Sequence, residues 1–256
     1  MLAAGSVFRR IHPCPILVFG NQKSGTTAIT ALLGELTQRP VTLDLAKEVR
    51  RPTFHKVHSG AMTIEAFVRR NRRDFARDIV KEPNLVVLFD QLLGYFPQSR
   101  LVFLVRDPRD NVRSILNRLQ LPGDIDQLQD SYRGVNADVW NLYLDGSWLG
   151  IEAETVVDVI AARWNLAADV YLANASRMVL CSYELFLQDK VGAIERLADQ
   201  LGLDKRRDIA DKVDVQWQPR GDRDVSWTRF FSQQNLARVE QRCRSRMVEF
   251  GYRPNC

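Results

Sequence analysis

Two periodicities alternate along the chain. Short, almost continuous apolar runs occupy residues 15–19, 41–43, 100–106 and 177–181, with a weaker one at 78–83. Runs of this length without polar alternation are the signature of strands covered on both faces. Between them, apolar residues recur at three- and four-residue spacing. Ile29, Leu32, Leu33 and Leu36 predict a helix over 27–36, and Ile64, Phe67 and Val68 one over 63–75. Val112, Ile115, Leu116 and Leu119 predict another over 108–119, with Asp107 as its N-cap. Val157, Ile160, Ala161, Trp164, Ala168 and Tyr171 mark a long helix over 153–173. Further helices are predicted over 191–201 and, from Leu236, Val239, Cys243, Met247 and Phe250, over 233–250. Alternating strands and helices predict an α/β fold: one domain over residues 1–256, a central parallel β-sheet flanked by helices on both faces.

Three stretches escape this pattern. Residues 45–54 read as a polar connection, and 204–226 as a charged loop. Residues 121–150 show no clear period but carry Tyr132, Trp140, Tyr143 and Trp148. They read either as a lid or acceptor-binding insertion or as small helices with core aromatics. Residues 85–90 imitate a metal-binding strand that ends in Asp90. The longer series Leu85, Leu88, Phe89, Leu92, Leu93 and Phe96 is helical instead, which leaves Asp90 no metal to hold.

Charge adds a preference for anions. The chain of 256 residues has 36 Lys and Arg against 31 Asp and Glu, a balance suited to phosphates, acidic glycans, nucleic acid or membrane surfaces. Arg69, Arg70, Arg72 and Arg73 cluster on one predicted helix; they read as a docking face for an acidic substrate or as a solvated surface. The four cysteines show no C-x-x-C spacing and suggest no zinc site. With neither a signal peptide nor a membrane-length apolar run, the expected location is cytoplasmic, with no membrane anchor.

The chemistry concentrates after the first strand, in Phe19-Gly20-Asn21-Gln22-Lys23-Ser24-Gly25-Thr26-Thr27. Strand, glycine-framed loop and helix start form an anion cradle. The loop departs from the nucleotide-binding form G-x-x-x-x-G-K-[ST]: Thr26 stands in the lysine position, and the lysine has moved to Lys23. It resembles the 5′-phosphosulfate loop of the sulfotransferases that use 3′-phosphoadenosine 5′-phosphosulfate (PAPS). Arg106-Asp107-Pro108-Arg109-Asp110, with Ser114 eight residues beyond Arg106, resembles their 3′-phosphate motif. Trp164, the segment 179–185 and the tail 231–252 also resemble that family, so the likeness spans nearly the whole chain.

The resemblance implies a P-loop NTPase-like fold and transfer of a sulfuryl group from PAPS to a hydroxyl, leaving PAP. The acceptor would be a carbohydrate or small metabolite, with no nucleic acid partner and no metal. Gln22, Lys23, Ser24, Gly25, Thr26 and Thr27 would hold the 5′ end, Arg106 and Ser114 the 3′-phosphate, Tyr183 the adenine, and Arg220-Gly221 the covering loop. Lys23 would meet the charge on the leaving oxygen. Lys81, in Lys81-Glu82-Pro83, matches a lysine of the glycan enzymes. The base is open among Glu48, His58, Glu82 and His55. Two other readings compete: a P-loop kinase or NTPase, and a non-catalytic nucleotide or anion binder.

Overall fold

The computed structural model describes residues 10–125, 138–217 and 225–254. Five parallel strands lie in the order β2-β3-β1-β4-β5: β1 Ile16–Gly20, β2 Val41–Thr42, β3 Ile79–Lys81, β4 Leu101–Val105 and β5 Met178–Ser182. Val18 is in register with Lys81 on one side and Val102 on the other. The predicted parallel sheet is therefore present, with helices on both faces.

Along β1 the side chains divide between two cores. Ile16 and Val18 face one layer, with Ile29, Leu32, Leu33 and Leu36 of α1 (Thr26–Thr37). Leu17 and Phe19 face the other, with Phe54, Phe67, Leu85, Leu92 and Trp164. Both faces are dry, so the strand pattern in the sequence is continuous rather than alternating.

The helices are α1, α2 (Ala46–Arg50), α3 (Phe54–His58), α4 (Ile64–Arg70), α5 (Phe89–Tyr95), α6 (Pro108–Leu119), α7 (Asp138–Leu144), α8 (Val156–Ala173), α9 (Tyr183–Gln188), α10 (Lys190–Gln200), α11 (Trp227–Phe230) and α12 (Gln233–Glu249). Several differ from expectation. Residues 45–54 are not a bare connection but the site of α2 and the start of α3. The helix expected over 63–75 stops at Arg70, because Asn71 turns its buried amide back to Glu48 and to the Phe67 carbonyl. The apolar series after Pro83 is helical, as the longer window predicts, but begins as a 3₁₀ turn, Pro83–Leu88, before α5. Asp90 is exposed.

Part of the 121–150 stretch lies outside the described residues. The remainder contains α7 and a 3₁₀ turn, Ser147–Leu149. Tyr143 of α7 is in the core, where it packs beside α6 and α8. No helix among the described residues is long and apolar enough to cross a membrane.

Candidate active site

All five strands deliver chain to one cleft at their carboxyl ends, where open α/β sheets place ligands. Asp44 follows β2, and Lys81 and Glu82 end β3. Gln22, Lys23, Gly25, Thr26 and Thr27 follow β1, Arg106 follows β4, and Tyr183 follows β5. The cavity has a volume of about 310 Å³.

The loop's shape rests on its glycines. Gly20 has φ 143°, and a Cβ there would come within 2.5 Å of the Leu104 carbonyl oxygen. Gly25 has φ 83°, and a Cβ there would meet the Tyr183 ring at 2.3 Å. Only hydrogen fits in either place. Lys23 is also left-handed, at φ 65°, and its carbonyl accepts a 3.0 Å hydrogen bond from the Arg106 guanidinium. That guanidinium lies 4.7 Å from the centre of the Tyr183 ring. Arg106 thus braces the loop from which it would share a ligand.

Asn111 is the second brace, and sequence reasoning missed it. Fully buried on α6, it donates to the Gln22 carbonyl (2.7 Å) and the Ser24 hydroxyl (3.0 Å) and accepts from Asn21 (2.9 Å). Ser24 is consequently turned beneath the loop and does not line the cleft, contrary to expectation. Ser114, one turn beyond Asn111, does line it, as does Arg113, which is paired with Asp110 at 2.6 Å. Arg220 and Gly221 lie outside the described residues.

The third and acidic part of the cleft contains Lys81, only 2% exposed, which donates to Thr27 Oγ1 (3.0 Å) and Asp44 Oδ1 (2.7 Å). Glu82 is its neighbour in the chain. One Glu82 oxygen accepts from the backbone and side-chain amides of Asn84, each at 3.1 Å, and the other from Leu45 N–H at 3.4 Å. Burial, reinforced by the nearby Asp44 carboxylate, pushes Glu82 up to about 7, and Lys81 opposes the rise.

Asn84 carries a further connection. Its side-chain oxygen accepts from both Gln22 (2.8 Å) and Arg163 (2.9 Å). Arg163 is buried in α8 with its guanidinium 4.2 Å from the Tyr143 ring centre, and burial lowers it to about 10. Tyr143, pushed by burial up to about 12, donates to Asn21 at 3.1 Å. Arg163 left one faint sequence signal: a charged residue in the apolar stripe Val156, Ile160, Ala167. Asp44 left another, standing directly after a predicted strand.

The other expected base candidates are not brought into this cleft. Glu48 is fully buried and accepts four hydrogen bonds: from Thr53 N–H (2.6 Å), Thr53 Oγ1 (2.8 Å), Arg70 (3.1 Å) and Asn71 (2.9 Å). It ties α2 to α4 and does not line the cavity. His58 borders a separate hollow with Val86, Phe89 and Leu149, its ring 5.5 Å from that of Trp148. His55 packs on the same tryptophan at 6.4 Å. The next residue of α2, Val49, lines the cleft, so Glu48 is directed to α4 by its hydrogen bonds. Among the described residues no group of His, Cys, Asp or Glu is placed to hold a metal ion.

Comparisons with known proteins follow this geometry. Three solved structures share the fold at low sequence identity. The sulfotransferase domain from the curacin biosynthetic pathway has TM-score 0.54 and 12% identity, over 94% of this chain and 99% of that one. Sulfotransferase STF9 from Mycobacterium avium has TM-score 0.53 and 13% identity, over 93% and 77%. Mouse sulfotransferase SULT7A1, solved with PAP, has TM-score 0.51 and 14% identity, over 93% and 86%. No curated protein gives a significant match. Residues 39–208 match the family described as the sulfotransferase family. That stretch is more than half the chain and contains Asp44, Lys81, Glu82, Arg106, Ser114 and Tyr183, and with it the chain belongs to the sulfotransferase family.

Proposed function

We propose that this protein transfers a sulfuryl group from PAPS to a hydroxyl of a carbohydrate or small-metabolite acceptor. The observation that carries the reading is convergence: a glycine-framed loop and the Arg106–Ser114 pair, two anion-holding elements, border one cleft with a lysine and two carboxylates. The residues present suit the donor. Lys23, Thr26, Thr27 and the start of α1 offer donors to a 5′-phosphosulfate. Arg106 and Ser114 offer a guanidinium fork and a hydroxyl to a 3′-phosphate. Tyr183, with Phe186 and Trp217 in the same wall, offers apolar faces to a purine. Family membership and a relative solved with PAP support the donor assignment.

PAPS supplies an activated sulfuryl group, which passes in line to the acceptor oxygen while the phosphate oxygen leaves. Lys23, with Lys81 buried beside Thr27, meets the charge that develops on that oxygen. Of the base candidates, Glu82 combines a place in the cleft with an affinity for protons near neutrality, the range in which a general base works best. The carboxylate takes the acceptor's proton as the oxygen–sulfur bond forms. Asp44 keeps Lys81 oriented. The described cysteines, Cys14, Cys181 and Cys243, are free thiols, which supports a reducing, cytoplasmic setting.

Thermal shift tests the donor reading: PAP should raise the melting temperature well above any effect of ATP with Mg²⁺, because a ligand stabilises the state that binds it. A larger effect from ATP with Mg²⁺ would favour a kinase. Lys23→Ala should lower turnover about 10²- to 10³-fold.

A further inference from the structure

The basic excess of this chain is concentrated in one place. Residues 47–77 contain nine Lys and Arg against three Asp and Glu, a net charge of +6. The rest of the chain, with 27 basic and 28 acidic residues, is at −1. One of the three acids in the segment, Glu48, is buried within the fold.

These charges form one surface. Lys47 donates to the Arg70 carbonyl at 2.6 Å, and Arg70 donates to the Arg51 carbonyl at 3.3 Å, which binds α2 against the end of α4. Lys47, Arg73 and Arg77 all stand close enough to the half-buried Asp74 to act on its charge. Lys47, Arg50, Arg51, Lys56, Arg69 and Arg73 are exposed. The surface also reaches the cleft: Val49, 41% exposed, lines it directly before Arg50.

We propose that the α2–α4 surface is a docking track for an acidic polysaccharide, whose hydroxyl-bearing unit enters the cleft past Val49. The proposal rests on the sulfotransferase reading and names its acceptor more narrowly. A guanidinium row suits repeated carboxylate or sulfate groups, each able to take two parallel hydrogen bonds. The row begins one residue from the cleft wall, so anionic groups must continue directly from the unit that reacts, as they do in a chain of acidic sugars. A folded acidic protein could not bring its charged surface that close to a cavity of about 310 Å³. An anionic membrane would be met by exposed apolar side chains, yet no large apolar side chain is exposed between Arg51 and Arg69, where the exposed positions are Lys56, His58, Ser59, Gly60, Ala61, Thr63, Glu65 and Ala66. At the cleft wall, the partly exposed Trp140 offers an aromatic surface on which the apolar face of a sugar ring can rest.

The test is a titration of the full chain, with PAP present, against a fluorescently labelled oligogalacturonate, read by anisotropy at low and high salt. Binding should weaken with salt as exposed charges are screened. A variant combining Arg50→Glu, Arg51→Glu, Arg69→Glu and Arg73→Glu should bind about tenfold more weakly or worse, on the strength of several reversed surface charges. Its stabilisation by PAP should equal that of the parent chain. Neutral dextran should not compete. Absence of binding, or equal binding by the variant, would overturn the proposal. So would stronger competition from poly-L-glutamate or from vesicles rich in anionic phospholipid, which would place an acidic protein or a membrane on the track. Failure of PAP to stabilise the parent chain would instead remove the sulfotransferase reading, independently of the sugar titration.

Discussion

Glu48 and Glu82 invite comparison because their sequence settings are nearly the same. Each follows a lysine, each closes or adjoins a short element beside the sheet, and each is buried. Their surroundings give them opposite chemistry. Glu48 sits among four donors, one of them the Arg70 guanidinium, which occupy its lone pairs and tie α2 to α4. Glu82 has only amide donors, a second carboxylate nearby and an outlook on the cleft. Burial then works against its charge and raises it to about 7, which suits the base role proposed for it. What a buried glutamate is suited to therefore depends on who donates to it.

The largest expected effect is on turnover. Glu82→Gln should lower kcat about 10²- to 10⁴-fold while the affinity for PAP, from calorimetric titration, stays within a small factor. Unchanged turnover would remove Glu82 from the chemistry and turn attention to Asp44. Next comes Glu48→Ala, which leaves the buried Asn71 amide and Thr53 without an acceptor and should cost about 1–3 kcal/mol of stability in chemical denaturation. Turnover per folded molecule should survive. A stable Glu48→Ala protein that binds PAP but does not turn over would reverse the comparison.

The pH dependence sharpens it further. Glu82 must lose its proton to act, so the rate should rise with pH through about 7 in the parent chain and lose that limb in Glu82→Gln. The same group affects stability with the opposite sign. Its folded-state pKa lies above the unfolded one, so the native protein holds a proton that the unfolded chain has released. Its contribution to stability is complete below the unfolded-chain value of 4.5 and is lost as pH rises to about 7. The smallest effect is that of Asn84→Ala, which removes one of the donors to Glu82 and the anchor shared by Gln22 and Arg163. It should lower kcat about tenfold and move the pH limb upward.

Much of the cleft half proposed for the nucleotide was legible from residue order because it is built from contiguous pieces. Gly20, Gly25, Lys23 and Thr27 belong to one turn between a strand and a helix, and Arg106 and Ser114 to another, so local spacing alone places them. The acidic half is assembled from Asp44, Glu82, Asn84 and Arg163, which lie on separate elements and meet only through the sheet order. Glu48, one of the base candidates, lies beside the cleft in sequence, but α2 turns it inward to α4. Ser24 makes the same point: its loop position follows from the sequence, but Asn111, almost ninety residues away, decides where the hydroxyl points.

By itself, then, the sequence determined the α/β class, the parallel sheet, the glycine-framed loop after β1 and the arginine–serine pair that follows β4. These are consequences of hydrophobic period and of short-range geometry. Only the tertiary structure decided which carboxylate faces the cleft, which is spent on holding α2 to α4, and which buried amides brace the loop. Those outcomes depend on desolvation and on donors contributed by distant residues, and neither is written in the spacing of neighbours.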